Sequence, residues 1–287
     1  MILDSESTTL YLSELIHSNN SFFSCLSKLL WKRKIEYRFL PQTRDIWAVD
    51  YMPVQVSLNK FIQFKYEPDY LRPAKYAITK TNPREVCAAI GLNPIPSSII
   101  LDGGNVIKGK NWAILTDKVF KENPMIPQNR LINELEKLFE AKVIIIPREP
   151  YDFTGHADGM VRYFDEDTLL INDYGEHQSD RYQSRLRRAL DQHQFKLIEI
   201  PYSPDDSNLN SAKGIYLNFL EMKDFILVPT FGQPEDEIAV ARFENLFPNR
   251  VIETIDASEI AREGGVLHCI SWTVASMQQT SKTICTP

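Results

Sequence analysis

The 287-residue sequence contains no CxxC pair: its four cysteines, Cys25, Cys87, Cys269 and Cys285, are widely scattered. That spacing provides neither a zinc site nor a disulfide framework, and it fits reduced thiols in a cytoplasm. HxH and HExxH are missing as well, so no metal is expected. Without GxSxG or GxGxxG, neither a serine nucleophile elbow nor a dinucleotide loop is supported. No apolar run approaches the roughly 18–20 residues that span a bilayer. The opening segment MILDSESTTLYLSELIHSNN lacks the basic-then-apolar order of a signal peptide. An excess of positive charge is also absent. The formal net charge of −6 argues against nucleic acid as a partner and mildly favours a cationic small molecule. The sequence carries no sign of oligomeric state.

What is present is a repeated unit. QNRLINELEKLFEAK sets Leu131, Ile132, Leu135, Leu138 and Phe139 on one helical face, and DRYQSRLRRALDQH sets Tyr182, Leu186 and Leu190 four apart. Each helix follows a hairpin-like stretch and precedes a short strand. SSIILDGGNVIKG and NWAILTDKVF read as one hairpin, with VIIIP after the helix. HADGMVRYFDEDTLLIND reads as a second, turning at Asp165-Glu166-Asp167, with FKLIEIP after its helix. GIYLNFLEMKDFILVPT, DEIAVARFENLF and VIETIDA make a third round. VDYMPVQVSLNKFIQFKY with NPREVCAAIGL precedes these, and GGVLHCISWTV opens another hairpin-like strand after them. The unit strand–strand–helix–strand thus recurs about five times. Units of this kind stack or close so that each buries its neighbour's apolar face.

Aligning the units brings one polar or reactive residue to the same point of each hairpin's first strand: Asp50, Asp102, His156, Asn218 and Cys269. If five units close around an axis, these side chains share one pocket. A thiol is nucleophilic only as a thiolate, which a nearby imidazole promotes. His268 is adjacent in sequence, but neighbours on a strand point to opposite faces, so His156 is the better partner for Cys269. Asp158, two residues beyond His156, would share its face. Asp50 and Asp102 add anionic groups to the same centre, and paired carboxylates match the fork of N–H donors on a planar guanidinium. Arg162 and Arg44 could meet a substrate carboxylate, although a structural ion pair is the plainer reading of each.

WAVDYMP (47–53), LDGGN (101–105), GHADGMVR (155–162), YLNFL (216–220) and GGVLHCISW (264–272) together resemble the agmatine deiminase and Porphyromonas-type peptidylarginine deiminase family. The resemblance implies a pentein fold, an α/β five-bladed propeller with a pseudo-fivefold axis, forming a single catalytic domain over 1–287. It also implies cofactor-free hydrolysis of a guanidino substrate to a ureido product and ammonia. By motif, Cys269 is the nucleophile, His156 the general acid and base, and Asp50 and Asp158 the guanidinium grips. Trp47, Asn218 and Asp102 would belong to the substrate-binding set. Two departures stand out: Val49 occupies the place where the family usually has Arg, and Ile270-Ser271-Trp272 follows Cys269 where agmatine deiminases have a Gln-rich stretch. The readings that compete with hydrolysis are amidine transfer on the same chemistry and a noncatalytic pentein that binds a partner.

Overall fold

Each repeated unit becomes one three-stranded sheet in a computed structural model, which describes residues 1–150, 152–205, 208 and 210–275. Positions 276–287 of the expected catalytic domain, Cys285 among them, lie outside the described residues. In chain order the strands are β1 (Thr9–Ser13), β2 (Tyr37–Leu40), β3 (Val54–Ser57), β4 (Lys60–Lys65), β5 (Ile95–Ile100), β6 (Ile107–Lys108), β7 (Trp112–Thr116) and β8 (Lys142–Ile146). They continue with β9 (Val161–Tyr163), β10 (Thr168–Asp173), β11 (Lys196–Pro201), β12 (Leu220–Met222), β13 (Phe225–Thr230), β14 (Val251–Asp256) and β15 (Ser271–Val274). Four sheets are contiguous in sequence: β3-β4-β5, β6-β7-β8, β9-β10-β11 and β12-β13-β14. In each, the first two strands pair antiparallel and the last two parallel. The parallel pairing requires a long crossover, and a helix provides it.

The helical faces read from the sequence pack as expected. Leu131, Leu135 and Phe139 are buried in the helix Gln128–Phe139, and Tyr182, Leu186 and Leu190 in Asp180–Asp191. Ser179 caps the latter by accepting the Tyr182 amide at 3.3 Å. The middle strands β7, β10 and β13 are buried along nearly their whole length, so they read as continuous apolar runs rather than alternating ones.

The fifth sheet differs from what the sequence suggested. GGVLHCISWTV does not begin a new hairpin. Its strand, β15, pairs antiparallel with β1, placing Leu12 opposite Ser271, and β1 pairs parallel with β2. The first strand of the chain therefore completes the last blade and closes the ring. Val266–Ile270 is a turn rather than strand, with the Ile270 amide donating to the Val266 carbonyl at 3.2 Å. SSIILDGGNVIKG is likewise not one strand: β5 finishes one blade, Gly103–Asn105 forms a 3₁₀ turn, and β6 starts the next.

Leu10 and Leu12 of β1 are fully buried, both at 0% exposure. Leu12→Ala should therefore cost about 2–5 kcal/mol, as for a central core residue. Denaturant unfolding measures this, and a loss below about 0.5 kcal/mol would show a frayed terminus instead of a closing strand.

Candidate active site

The five aligned residues do meet, but from loops. Asp50 lies in the short helix Ala48–Tyr51 before β3, and Asp102 immediately precedes the 3₁₀ turn before β6. His156, Asn218 and Cys269 sit in the turns before β9, β12 and β15. The strand-face argument for His156 and Asp158 does not hold, because both lie in one tight turn, where the Met160 amide donates to the Ala157 carbonyl at 2.9 Å. Asp50, His156, Asp158, Asn218, Trp47 and Cys269 all line one cavity of about 780 Å³. Asp102 and His268 do not.

His156 is the hub. Its Nε2 lies 2.9 Å from Asp102 Oδ2 and its Nδ1 3.5 Å from Asp50 Oδ1. Carboxylates on both sides of the ring favour the doubly protonated imidazolium. Burial pulls the His156 value down, but the Asp50 and Asp102 charges outweigh it and raise it to about 9. Asp102, expected among the substrate-binding residues, is 1% exposed and lies behind the imidazole. Its Oδ2 accepts from His156, from Lys118 Nζ at 3.0 Å and from Tyr70 Oη at 3.4 Å, which leaves that oxygen nothing to offer a ligand.

Asp158 and Cys269 form the opposite wall. The Cys269 thiol donates to Asp158 Oδ2 at 3.6 Å, and His268 Nδ1 lies 2.7 Å from the same oxygen. His268 thus supports the carboxylate from outside the cavity. Burial first, then the Asp158 and Asp50 charges, push the Cys269 thiol well above its ordinary value. Asn218 Oδ1 accepts the backbone amides of His268 (3.1 Å) and Cys269 (3.2 Å), so its amide side chain fixes the turn that presents the thiol. Gly265 lets this turn press on Trp47: a Cβ there would fall 2.5 Å from the indole and 2.9 Å from the Cys269 Cβ. Gly104 has a similar role, since a Cβ would fall 2.6 Å from Asp50 Oδ1 and 2.7 Å from His156 Nδ1.

Lys118 was not singled out in the sequence. It is 2% exposed, 3.5 Å from His156 Nε2, and also 3.4 Å from Glu122 Oε1 one helical turn on. The available signal was the i,i+4 Lys–Glu pair in TDKVFKEN. Arg162 is an interior ion-pair residue: its guanidinium donates to Asp4 Oδ2 at 3.0 Å and to the Phe219 carbonyl at 2.9 Å. Arg44 is exposed and lines the cavity. Among the described residues no cluster of three or more His, Cys, Asp or Glu could hold a metal, and no helix is long and apolar enough to cross a membrane.

A ring of five α/β blades with a thiol, an imidazole and carboxylates at its axis is the pentein architecture. Residues 5–274 match the family described as Porphyromonas-type peptidyl-arginine deiminase, and the chain belongs to it. The agmatine deiminase of Pseudomonas aeruginosa is 25% identical over 207 residues, covering 60% of this chain and 56% of that protein. The chain spans about three fifths of the length of the curated relatives it matches. Among solved structures, the agmatine deiminase of C. jejuni superposes with a TM-score of 0.78 at 18% identity, over 95% of this chain and 94% of that one. DDAH from Pseudomonas aeruginosa gives 0.55 at 13% identity, over 93% and 99%. These structural likenesses establish the fold.

Removing the buried cation tests how the site is held. Lys118→Met leaves Glu122 without its counter-charge and Asp102 with His156 alone, and should cost about 3–5 kcal/mol in urea unfolding. A change below about 1 kcal/mol would mean that water or repacking replaces the ammonium.

Proposed function

We propose that this chain is a hydrolytic deiminase of a guanidino substrate, agmatine- or arginine-like, acting through a covalent adduct on Cys269. The observation that carries the reading is the convergence of the Cys269 thiol, Asp158, Asp50 and the His156 imidazolium in one acidic cavity. A relative in Pseudomonas aeruginosa named agmatine deiminase, and a C. jejuni agmatine deiminase solved with substrate bound, support the substrate class.

The chemistry follows from the charges. In the resting site the thiol is neutral and the imidazole protonated. A guanidinium between Asp50 and Asp158 cancels the two charges that oppose thiolate formation, so the nucleophile is activated when substrate arrives. The carboxylates fix the guanidinium plane against Trp47, the thiol proton passes to solvent, and Cys269 Sγ bonds to the guanidinium carbon. His156 gives its proton to one amino nitrogen, the C–N bond breaks and ammonia leaves. The neutral imidazole then takes a proton from water as the oxygen attacks the adduct. The C–S bond breaks, releasing the ureido product and restoring the thiol. Only water is consumed. Asp102 orients the imidazole throughout, as a positioning residue. Cys25, Cys87 and Cys269 are unpaired, consistent with work in a reducing cytoplasm.

Ammonia and ureido-product release should be measured across agmatine, arginine, peptidyl-arginine and simple alkylguanidines. Turnover should vanish in Cys269→Ala and fall about 100-fold in Gly104→Ala, where the Asp50–His156 geometry is displaced. No turnover by the wild type would sink the proposal; turnover surviving in Cys269→Ala would sink the covalent route.

The pH profile is a second check. The acid step needs protonated His156, so kcat/KM should decline as pH rises through about 9. Asp102→Asn removes one of the anions that hold this proton, and should move the decline to lower pH. An alkaline limb that does not move would assign it to another group.

A further inference from the structure

A second layer of charged side chains meets near the axis, outside the large cavity. Lys108, Arg162 and Glu221 are each the second residue of an inner strand, in β6, β9 and β12. Arg162 Nη2 lies 3.9 Å from Glu221 Oε2. Asp4 enters this layer from the 3₁₀ turn Asp4–Glu6, a segment remote from every quoted motif. Its Oδ1 meets Lys108 Nζ at 2.6 Å, and its Oδ2 meets Arg162 Nη2 at 3.0 Å and His268 Nε2 at 3.6 Å. The void lined by Asp4, Lys108, Glu221 and His268 is about 30 Å³, too small for bulk solvent to separate these charges.

The turn keeps its place without the Asp4 carboxylate. The Leu3 amide donates to Glu6 Oε2 at 2.8 Å, and the Ser7 hydroxyl to the Asp4 carbonyl at 2.6 Å. Neighbouring strands tie it down from outside: the Lys223 amide donates to the Ser7 carbonyl at 3.0 Å, and the Thr8 amide to the Val274 carbonyl at 2.9 Å. The carboxylate is therefore directed wholly at the charged layer.

His268 stands between two carboxylates, as His156 does between Asp50 and Asp102. Its Nδ1 lies 2.7 Å from Asp158 Oδ2, and its Nε2 faces Asp4. An anion at Nε2 favours the ring with both nitrogens protonated, and a charged N–H donor binds a carboxylate more strongly than a neutral one. The same Asp158 oxygen accepts the Cys269 thiol at 3.6 Å, so the seating of that oxygen sets the place of Sγ. The charged groups that face the His268 ring are Arg162 from β9, Asp158 from the turn before β9, and Asp4. Lys108 and Glu221 stand one contact further out. Burial and Arg162 lower the His268 value, and the two carboxylates raise it above its ordinary range.

We propose that Asp4 is a positioning residue for the nucleophile: it holds the His268 ring, which seats the Asp158 oxygen on which the Cys269 thiol rests. The proposal rests on the deiminase reading, in which Asp158 also grips the guanidinium. Asp4 does not line the cavity, so its loss acts on the chemical step and leaves substrate binding in place.

The test uses Asp4→Asn, His268→Gln and the double variant. In Asp4→Asn, kcat should fall about tenfold while KM stays within about threefold. His268→Gln, which offers Asp158 an N–H donor without charge, should lower kcat by about tenfold or more. Adding Asp4→Asn to His268→Gln should then change kcat by less than about twofold, because Asp4 acts through the ring. Imidazole titration by NMR gives the readout that a merely structural role would not move. The resonance missing from His268→Gln assigns His268 among the five histidines. Its midpoint should shift to lower pH in Asp4→Asn, since one anion that holds the proton is gone. Should Asp4→Asn fail to fold, Lys108→Met removes a cation that competes with His268 for Asp4, and the midpoint should shift to higher pH. An unmoved midpoint, an unchanged kcat, or effects that add in the double variant overturn the proposal and leave the deiminase standing. If the wild type turns over no guanidine, the deiminase reading fails, and the midpoint alone decides whether Asp4 holds His268: a shift upholds that link, and no shift overturns it.

Discussion

Five loops hydrogen-bond to their neighbours around one axis, and the position of every functional side chain depends on that ring. The Val49 amide donates to the Cys269 carbonyl, and the Gly104 amide to Asp50. The Gly104 carbonyl accepts from Asp158, Arg162 donates to the Leu217 and Phe219 carbonyls, and the Asn218 carbonyl accepts from His268. Buried backbone groups must find partners, and each loop here finds them on the next. No blade can build this site alone. Insertion of β1 between β15 and β2 completes the last blade, so the thiol's turn is held by both ends of the described chain.

The ring concentrates negative charge that would repel itself without an internal answer. Asp50, Asp102 and Asp158 are all at least nine-tenths buried. Lys118 and the His156 imidazolium answer Asp102, and His268 answers Asp158. Asp50 is served less well. Burial raises its carboxyl, and only His156 and the Gly104 amide oppose that. The site is thus left short of positive charge on the side that faces the cavity, and a cation bound there would add to the stability of the fold.

The repeat and the axial set were legible because each blade spends one short polar motif at the same point, and motif spacing survives errors in strand boundaries. Secondary structure at the axis was misread for a related reason. Runs such as VLHCI are apolar and β-prone, yet the crowded centre bends them into turns, since side chains from five loops must point inward together. The closing strand β1 was invisible because its partner β15 lies at the opposite end of the sequence, and no local pattern announces so distant a pairing. Lys118 was missed for another reason. A lone lysine or glutamate reads as solvated surface, and only tertiary burial turns it into a charge that must be matched.

Arg162 shows how far the support of the site extends. It lies in the GHADGMVR motif, six residues after His156, and could be read as meeting a substrate. In the folded chain it turns away from the cavity to Asp4, which also meets Lys108 Nζ at 2.6 Å and His268 Nε2 at 3.6 Å. Burial would raise the Asp4 carboxyl, but Lys108, His268 and Arg162 hold it well below its ordinary value, so it stays ionised. Burial and the Arg162 charge pull the His268 value down, but Asp158 and Asp4 raise it, and His268 Nδ1 lies 2.7 Å from the Asp158 oxygen that receives the Cys269 thiol. The chain of contacts runs from the N-terminal turn to the Cys269 thiol through two carboxylates and one imidazole. It ties His268, beside Cys269 in the sequence, to the thiol through Asp158.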